Sequence, residues 1–314
     1  AHMENLSEDA IRAIVSQYAR LRAAYGEDIG APELLQPSGE HFPDPFTPDG
    51  ESVARLLTRM IGYAPIADDL RVAIRFLEPS DEAAGGKSCG SGGCGTGGAG
   101  GGPRDNVIEL DDGYIVEVAT TDVGHGVLLT TNLARSIGAL VLMEAGEEVD
   151  PRELGALSEL AAVATGFGVI LLGGAHVYGK SCGGVRVHQA TALGLEEVAV
   201  ALALFVREHD HKASRARAHL ETTQKEAFDE ALVWLDSNPE IIASLRTAPQ
   251  LLADGIFTVE PTKGPIGRFF AKRKLETPPS AKELASAASK RKRTPEEERK
   301  LAETRALVEE ALRS

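Results

Sequence analysis

Apolar positions recur at helical spacing through most of the chain and switch to alternation in only a few places. "SEDAIRAIVSQYARLRAAYG" carries one apolar stripe, with Ser7 placed as an N-cap, Asp9 in the first turn and Gly26 after the expected stop. A proline-rich connector follows, and then "ESVARLLTRMIGYA" predicts a second helix. In "LRVAIRFLE", Val72, Ile74 and Phe76 alternate with polar neighbours, which predicts a half-buried strand. "NVIEL-DDG-YIVEVA" reads as a hairpin around Asp112-Gly113.

Two segments are apolar on most faces and are therefore expected at the centre: "HGVLLTTNLARSIGALVLMEAG", and "DPRELGALSELAAVATGFGVILLGG" with Pro151 at its start. "GLEEVAVALALFVREHDHK" predicts a third buried helix. Two more helices are expected near "AHLETTQKEAFDEALVWL" and "NPEIIASLRTAPQLLADG". No run is read as having the length and flanks of a membrane span. The pattern predicts an α+β fold: a mostly helical body with a small antiparallel sheet or hairpin, forming one domain over residues 4–260.

Two segments break the pattern. Residues 82–104 form an insertion between strand and hairpin, with "GGKSCGSGGCGTGGAGGG" at its heart; long insertions in such connections cost little closure entropy. Residues 261–314 read as a flexible basic linker and a short charged helix, with little apolar periodicity before Pro295.

Composition narrows the function classes. The hydrophobic share of 43% supports a sizeable core, and the aromatic share of only 5% makes that core aliphatic. A net charge of −14 argues against general affinity for nucleic acid or anionic membrane. The tail runs the other way: from Lys263 to Arg293 ten Lys/Arg face two Glu, a local +8. Its "GRFFAKRK" offers Arg268, Phe269, Phe270, Lys272, Arg273 and Lys274 as a contact surface for a protein partner, with nucleic acid the weaker alternative. Ala1-His2-Met3 reads as a cloning remnant, no signal peptide is visible, and three cysteines make no disulfide framework, so a cytoplasmic location is expected.

The glycine-rich stretch is open to three chemical readings. Gly86-Lys87-Ser88 resembles the end of a phosphate-binding loop, but the first glycine of that motif falls on Asp81, and no helix follows. A structural zinc held by Cys89, Cys94 and Cys182, with His176 or His188 as fourth ligand, is the alternative expectation, and it would make the chain a metal-binding enzyme or sensor; C-x4-C lies at the loose end of zinc spacings. Free thiols, or a Cys89–Cys94 pair when oxidised, are the plain reading. His209-x-His211 ends a helix, where a cation suits the dipole.

The order of parts, together with "LLTTNLARSIGALVLMEAG" and "ELGALSELAAVATGFGVILL", resembles bacterial zincin-like metallopeptidase domains over about residues 51–255. Those domains carry roughly Leu-Ala-His-Glu-Leu-x-His on the first central helix and a further acidic residue on the second. Two His at i and i+4 bind zinc from one helix face, and the Glu polarises the bound water. Leu133-Ala134 and Gly138 fit the motif; its working positions fall on Arg135, Ser136 and Ala139, and its later acid on Glu159. A guanidinium has no acceptor for zinc, serine is no strong base and alanine has no ligand atom. The resemblance therefore implies a non-catalytic, metal-free zincin-like protein acting as a protein-binding scaffold. It further implies that Arg135 pairs with Glu159 across the two helices, because a carboxylate left without its metal needs a cation.

Overall fold

The structure, a computed structural model, describes residues 6–67, 69–78, 106–181 and 184–260. Its first helix, α1 (Glu8–Ile29), starts where Ser7 Oγ accepts the Ala10 amide at 3.1 Å. It runs through Gly26 and stops at Gly30, one turn beyond the expected end. Helix α2 (Gly50–Ile61) is capped by the Asp49 carboxylate, which accepts from Ser52 N at 2.8 Å.

The sheet is mixed rather than antiparallel. Strands β1 (Val72–Leu77), β2 (Val107–Leu110) and β3 (Gly113–Ala119) are ordered β1-β3-β2. The expected hairpin forms: β2 and β3 pair antiparallel, with Leu110 opposite Gly113. Strand β1 pairs parallel with β3, Val72 opposite Tyr114. On β3, Tyr114, Val116 and Val118 face the core, as the alternation requires.

A single turn, α3 (Thr120–Val123), leads into α4 (Gly126–Glu144). Pro151 to Glu153 form a turn, so the second central helix, α5 (Leu154–Ala162), begins later than Pro151 suggested. It passes through a π-type turn at Val163–Phe167 and continues as α6 (Gly168–Ala175). Gly166 sits there at φ 102°, a region that glycine enters without a Cβ penalty. A Cβ at Gly166 would stand 2.1 Å from Glu33 O, because the proline-rich connector docks against this turn. Leu35 N donates to Gly166 O at 3.1 Å.

Beyond it lie a second antiparallel pair, β4 (Val177–Ser181) and β5 (Gly184–His188), which the apolar pattern did not announce. Then come α7 (Leu195–Glu208), the short α8 (Ala213–Arg217), α9 (Thr222–Asp236), α10 (Pro239–Thr247) and α11 (Pro249–Ala253). The last two, expected as one helix, are split at Ala248, where the following Pro249 disfavours helical geometry.

Helix α7 is the centre of the core: Val198 through Val206 are all buried. It touches α1, α6 and α9, and α4 packs along α5. Two helical stretches, Gly126–Glu144 and Leu154–Ala175, are long and apolar enough to cross a membrane, contrary to the reading of the sequence. They are 67% and 83% buried inside the fold, so their apolar faces are covered by protein.

Candidate functional site

Helices α4 and α5 meet backbone to backbone. A Cβ added at Gly138 would lie 1.7 Å from Ser158 O, so only glycine permits this approach. Arg135 stands almost one turn before Gly138, and Glu159 one residue after Ser158. The close contact therefore sets the two charged side chains face to face.

Arg135 Nε donates to Glu159 Oε1 at 2.7 Å. The approach expected from the sequence is thus present, and it is deep: Arg135 is 4% exposed and Glu159 0%. The loop before α7 completes the carboxylate's surroundings. Ala192 N donates to Oε1 at 2.6 Å and Leu193 N to Oε2 at 2.9 Å. Burial pushes the Glu159 pKa up, while the two backbone amides and the guanidinium pull it down, leaving it above the usual carboxylate range. All three partners are N–H donors, the set an ionised carboxylate satisfies.

The other two motif positions are equally spent. Ser136 Oγ donates to Asn132 O at 2.9 Å and accepts from Asn106 Nδ2 at 2.6 Å. Asn106 is in turn pinned to the sheet, its carbonyl accepting Glu117 N at 2.7 Å. Among the described residues Ser136 bonds only to Asn106 and Asn132, neither of them a base that could make it a nucleophile. Ala139, 6% exposed, presents a methyl group.

Beside Arg135 opens a narrow cleft of about 10 Å³, room for about one water. Val107, Ala139, Met143 and Leu154 supply its apolar walls. Asn106, Gly155 and Ser158 complete the lining. Asn106 and Ser158 were not singled out in the sequence, since nothing in a lone Asn before a strand or a Ser inside a helix marks a site.

Of the candidate metal ligands, only His176 and His188 lie among the described residues. Cys89, Cys94 and Cys182 lie outside the described residues, as do Arg268, Phe269, Phe270, Lys272, Arg273 and Lys274. His176 is half-buried, its carbonyl accepting Gln224 Nε2 at 3.0 Å, and His188 is exposed. Among the described residues no group of three His, Cys, Asp or Glu is placed to hold a metal ion.

A second buried polar cluster escaped the sequence reading. Glu208, at the end of α7, accepts from Tyr18 Oη at 2.9 Å and from Arg22 Nε at 2.6 Å. Arg246 Nε donates to the Glu208 carbonyl at 2.9 Å. A carboxylate in the last turn of a buried helix opposes the dipole, and that is the signal that could have found it. Burial raises the Glu208 pKa against the pull of Arg22, and pushes the Tyr18 hydroxyl well above its usual value with Glu208 adding to the effect. His209, next in the chain, is driven down to about 4, by burial first and then by Arg22 and His211. It is neutral near pH 7, so the expected helix-end cation is absent at this residue. Its ring packs against Phe205 with centroids 4.9 Å apart.

No protein-family model, curated protein or solved structure matches the chain.

Proposed function

We propose that the chain is a non-catalytic, zincin-like binding module whose catalytic positions have been turned into structural ones. The observation that carries this reading is the buried ion pair between Arg135 and Glu159. A guanidinium at a ligand position repels a metal cation and gives it no lone pair, and the carboxylate opposite is saturated by three N–H donors. Ser136 and Ala139 add neither a base nor a ligand. What remains is a fold that presents surface for binding and no chemistry of the peptidase kind. The partner is a protein or peptide, and the cationic tail with its two adjacent phenylalanines supplies a second contact surface.

The test uses the purified full chain and a library of quenched fluorescent peptides, with zinc supplied and with zinc chelated. Retention of intact peptides on the immobilised chain without cleavage is the expected result. Cleavage that stops on chelation overturns the reading, and so does failure to retain any peptide.

A further inference from the structure

The three-stranded sheet has two faces, and one of them meets the core. Tyr114, Val116 and Val118 of β3 point inward, and Val72 and Ile74 of β1 pack with them. Ile115 therefore points outward, with Ala73 opposite it on β1 and Ile108 opposite it on β2. Leu110, two residues further along β2 on the same face, is 45% exposed. Ile108 and Ile115 are half-buried, yet among the described residues neither packs against the core cluster.

Strands β1 and β3 are parallel, and parallel strands are normally covered on both faces. Helix α4 lies against the inner face, where Tyr114 Oη donates to Glu144 Oε1 at 2.8 Å. The connection between β1 and β2, residues 79–105, contains no Leu, Ile, Val, Met, Phe, Tyr or Trp, so it has no large apolar side chain to lay on the outer one. The rim of that outer face carries both signs. At one end Arg75, its side chain 50% exposed, pairs with the better covered Glu117 and leaves a cation outermost. At the other end the β2–β3 turn sets the exposed Asp111 and Asp112 against Arg71.

We infer that the outer face of this sheet docks an amphipathic helix of a partner protein, with its apolar stripe along Ala73, Ile108, Leu110 and Ile115, an acidic end over Arg75 and a basic end over the β2–β3 turn. Three strands about 4.8 Å apart and six residues at about 3.3 Å each make a face of about 14 by 20 Å, or roughly 300 Å². A second copy of the chain would need about 800 Å² on each side for a stable dimer. A helix about 10 Å across and about 13 residues long covers the face by itself. The net charge of −14 also sets two copies against each other, whereas a helix with one acidic and one basic end complements both ends of the rim. The inference rests on the binding-module reading and names the surface and the kind of partner.

Fluorescence anisotropy on the full chain tests this, with a dye-labelled helical peptide that carries Leu along one face, Glu in its first turns and Lys in its last turns. A peptide of the same composition with the Leu stripe scrambled is the control. The striped peptide binds and the scrambled one does not. Leu110→Asp puts a charge into the apolar row at an exposed position and weakens binding by at least about tenfold, the worth of one buried Leu. Arg75→Glu weakens it as well, and by more at low salt than at high. Val233→Asp, at an exposed apolar position on α9, leaves it unchanged. The inference is overturned if neither peptide binds, if the scrambled peptide binds as well as the striped one, or if Leu110→Asp leaves affinity unchanged. Sedimentation of the chain alone identifies the other occupant: a dimer that Leu110→Asp dissociates puts a second copy on this face and also overturns the inference. Library peptides retained equally by wild type and Leu110→Asp would sink this face while leaving the binding module standing, whereas zinc-dependent cleavage would sink the module itself.

Discussion

Gly138 and Ser158 are in such close contact that a single methyl group cannot fit between them: a Cβ on residue 138 would lie 1.7 Å from Ser158 O and 3.0 Å from Ala162 N. Both obstacles are backbone, so neither can rotate away. Gly138→Ala must push α4 from α5, and it is expected to cost about 3 kcal/mol, the upper end for overpacking. Denaturant unfolding measures it; a loss under about 0.5 kcal/mol would mean the helices are further apart than described.

The Arg135–Glu159 pair is buried on both sides, which makes breaking it more damaging than its net worth would suggest. Arg135→Met strands the Glu159 carboxylate with two backbone donors and is expected to cost about 3–5 kcal/mol. Glu159→Gln is expected to cost a comparable amount, because one acceptor oxygen becomes an NH₂ that faces another N–H. Equilibrium unfolding of both variants checks this, and near wild-type stability in either would show the pair to be solvated.

How far the chain could be read before its structure depended on the range of each interaction. Ser7 as a cap, the β2–β3 hairpin and the all-round apolar α7 are local features, and each was legible. The parallel pairing of β1 with β3 was not, because it joins residues 42 apart, such as Val72 and Tyr114, and alternation says nothing of a strand's direction. Gly26 resembled a helix stop, yet α1 continues past it because Ile29 still packs against the core and Gly30 supplies the positive φ. At the site, Arg135 and Glu159 could be paired in advance through the zincin-like resemblance. The Ala192 and Leu193 amides could not, since backbone donors have no sequence signature.

The zincin-like reading makes a claim about geometry that metal can test. If α4 and α5 hold the zincin arrangement, the combined variant Arg135→His, Ser136→Glu, Ala139→His restores three working positions around Glu159. Purified in the presence of zinc, it is expected to carry near-stoichiometric metal that wild-type protein lacks, measured by elemental analysis. A folded triple variant without zinc would show that Glu159 is not placed as the third protein ligand, and the zincin-like reading would fall.

At the second cluster, Tyr18 Oη donates to Glu208 Oε2 at 2.9 Å in a site where both residues are buried. Tyr18→Phe leaves packing intact and removes one donor to a buried carboxylate. The expected loss is about 1.5–3 kcal/mol, the range for hydrogen bonds to charged groups. Glu208 should respond by titrating at still higher pH, since one stabilising donor is gone, and carboxyl chemical shifts followed against pH would register that rise. An unchanged Glu208 titration would mean that Arg22 alone sets the charge state.

His209 gives the protein an acid limit. Its pKa is lowered from 6.5 to about 4, chiefly by burial and then by Arg22. A depressed histidine favours the neutral form in the folded state, so its contribution is present above pH 6.5 and fades as pH falls towards 4, where the unfolded chain binds the proton and the fold resists it. A shift of this size corresponds to at most about 3 kcal/mol, and less where water reaches the ring. Glu159 and Glu208 act with the opposite sign: their pKa values are raised, so their protonation favours the fold at low pH and its benefit is lost as pH rises through their folded values. His209→Phe keeps an aromatic ring against Phe205 and removes the titrating site. Unfolding free energy measured from pH 7 to 4 should fall less steeply in His209→Phe than in wild type, by up to about 3 kcal/mol across the interval. Parallel curves for the two proteins would mean that His209 titrates normally and that acid sensitivity arises elsewhere.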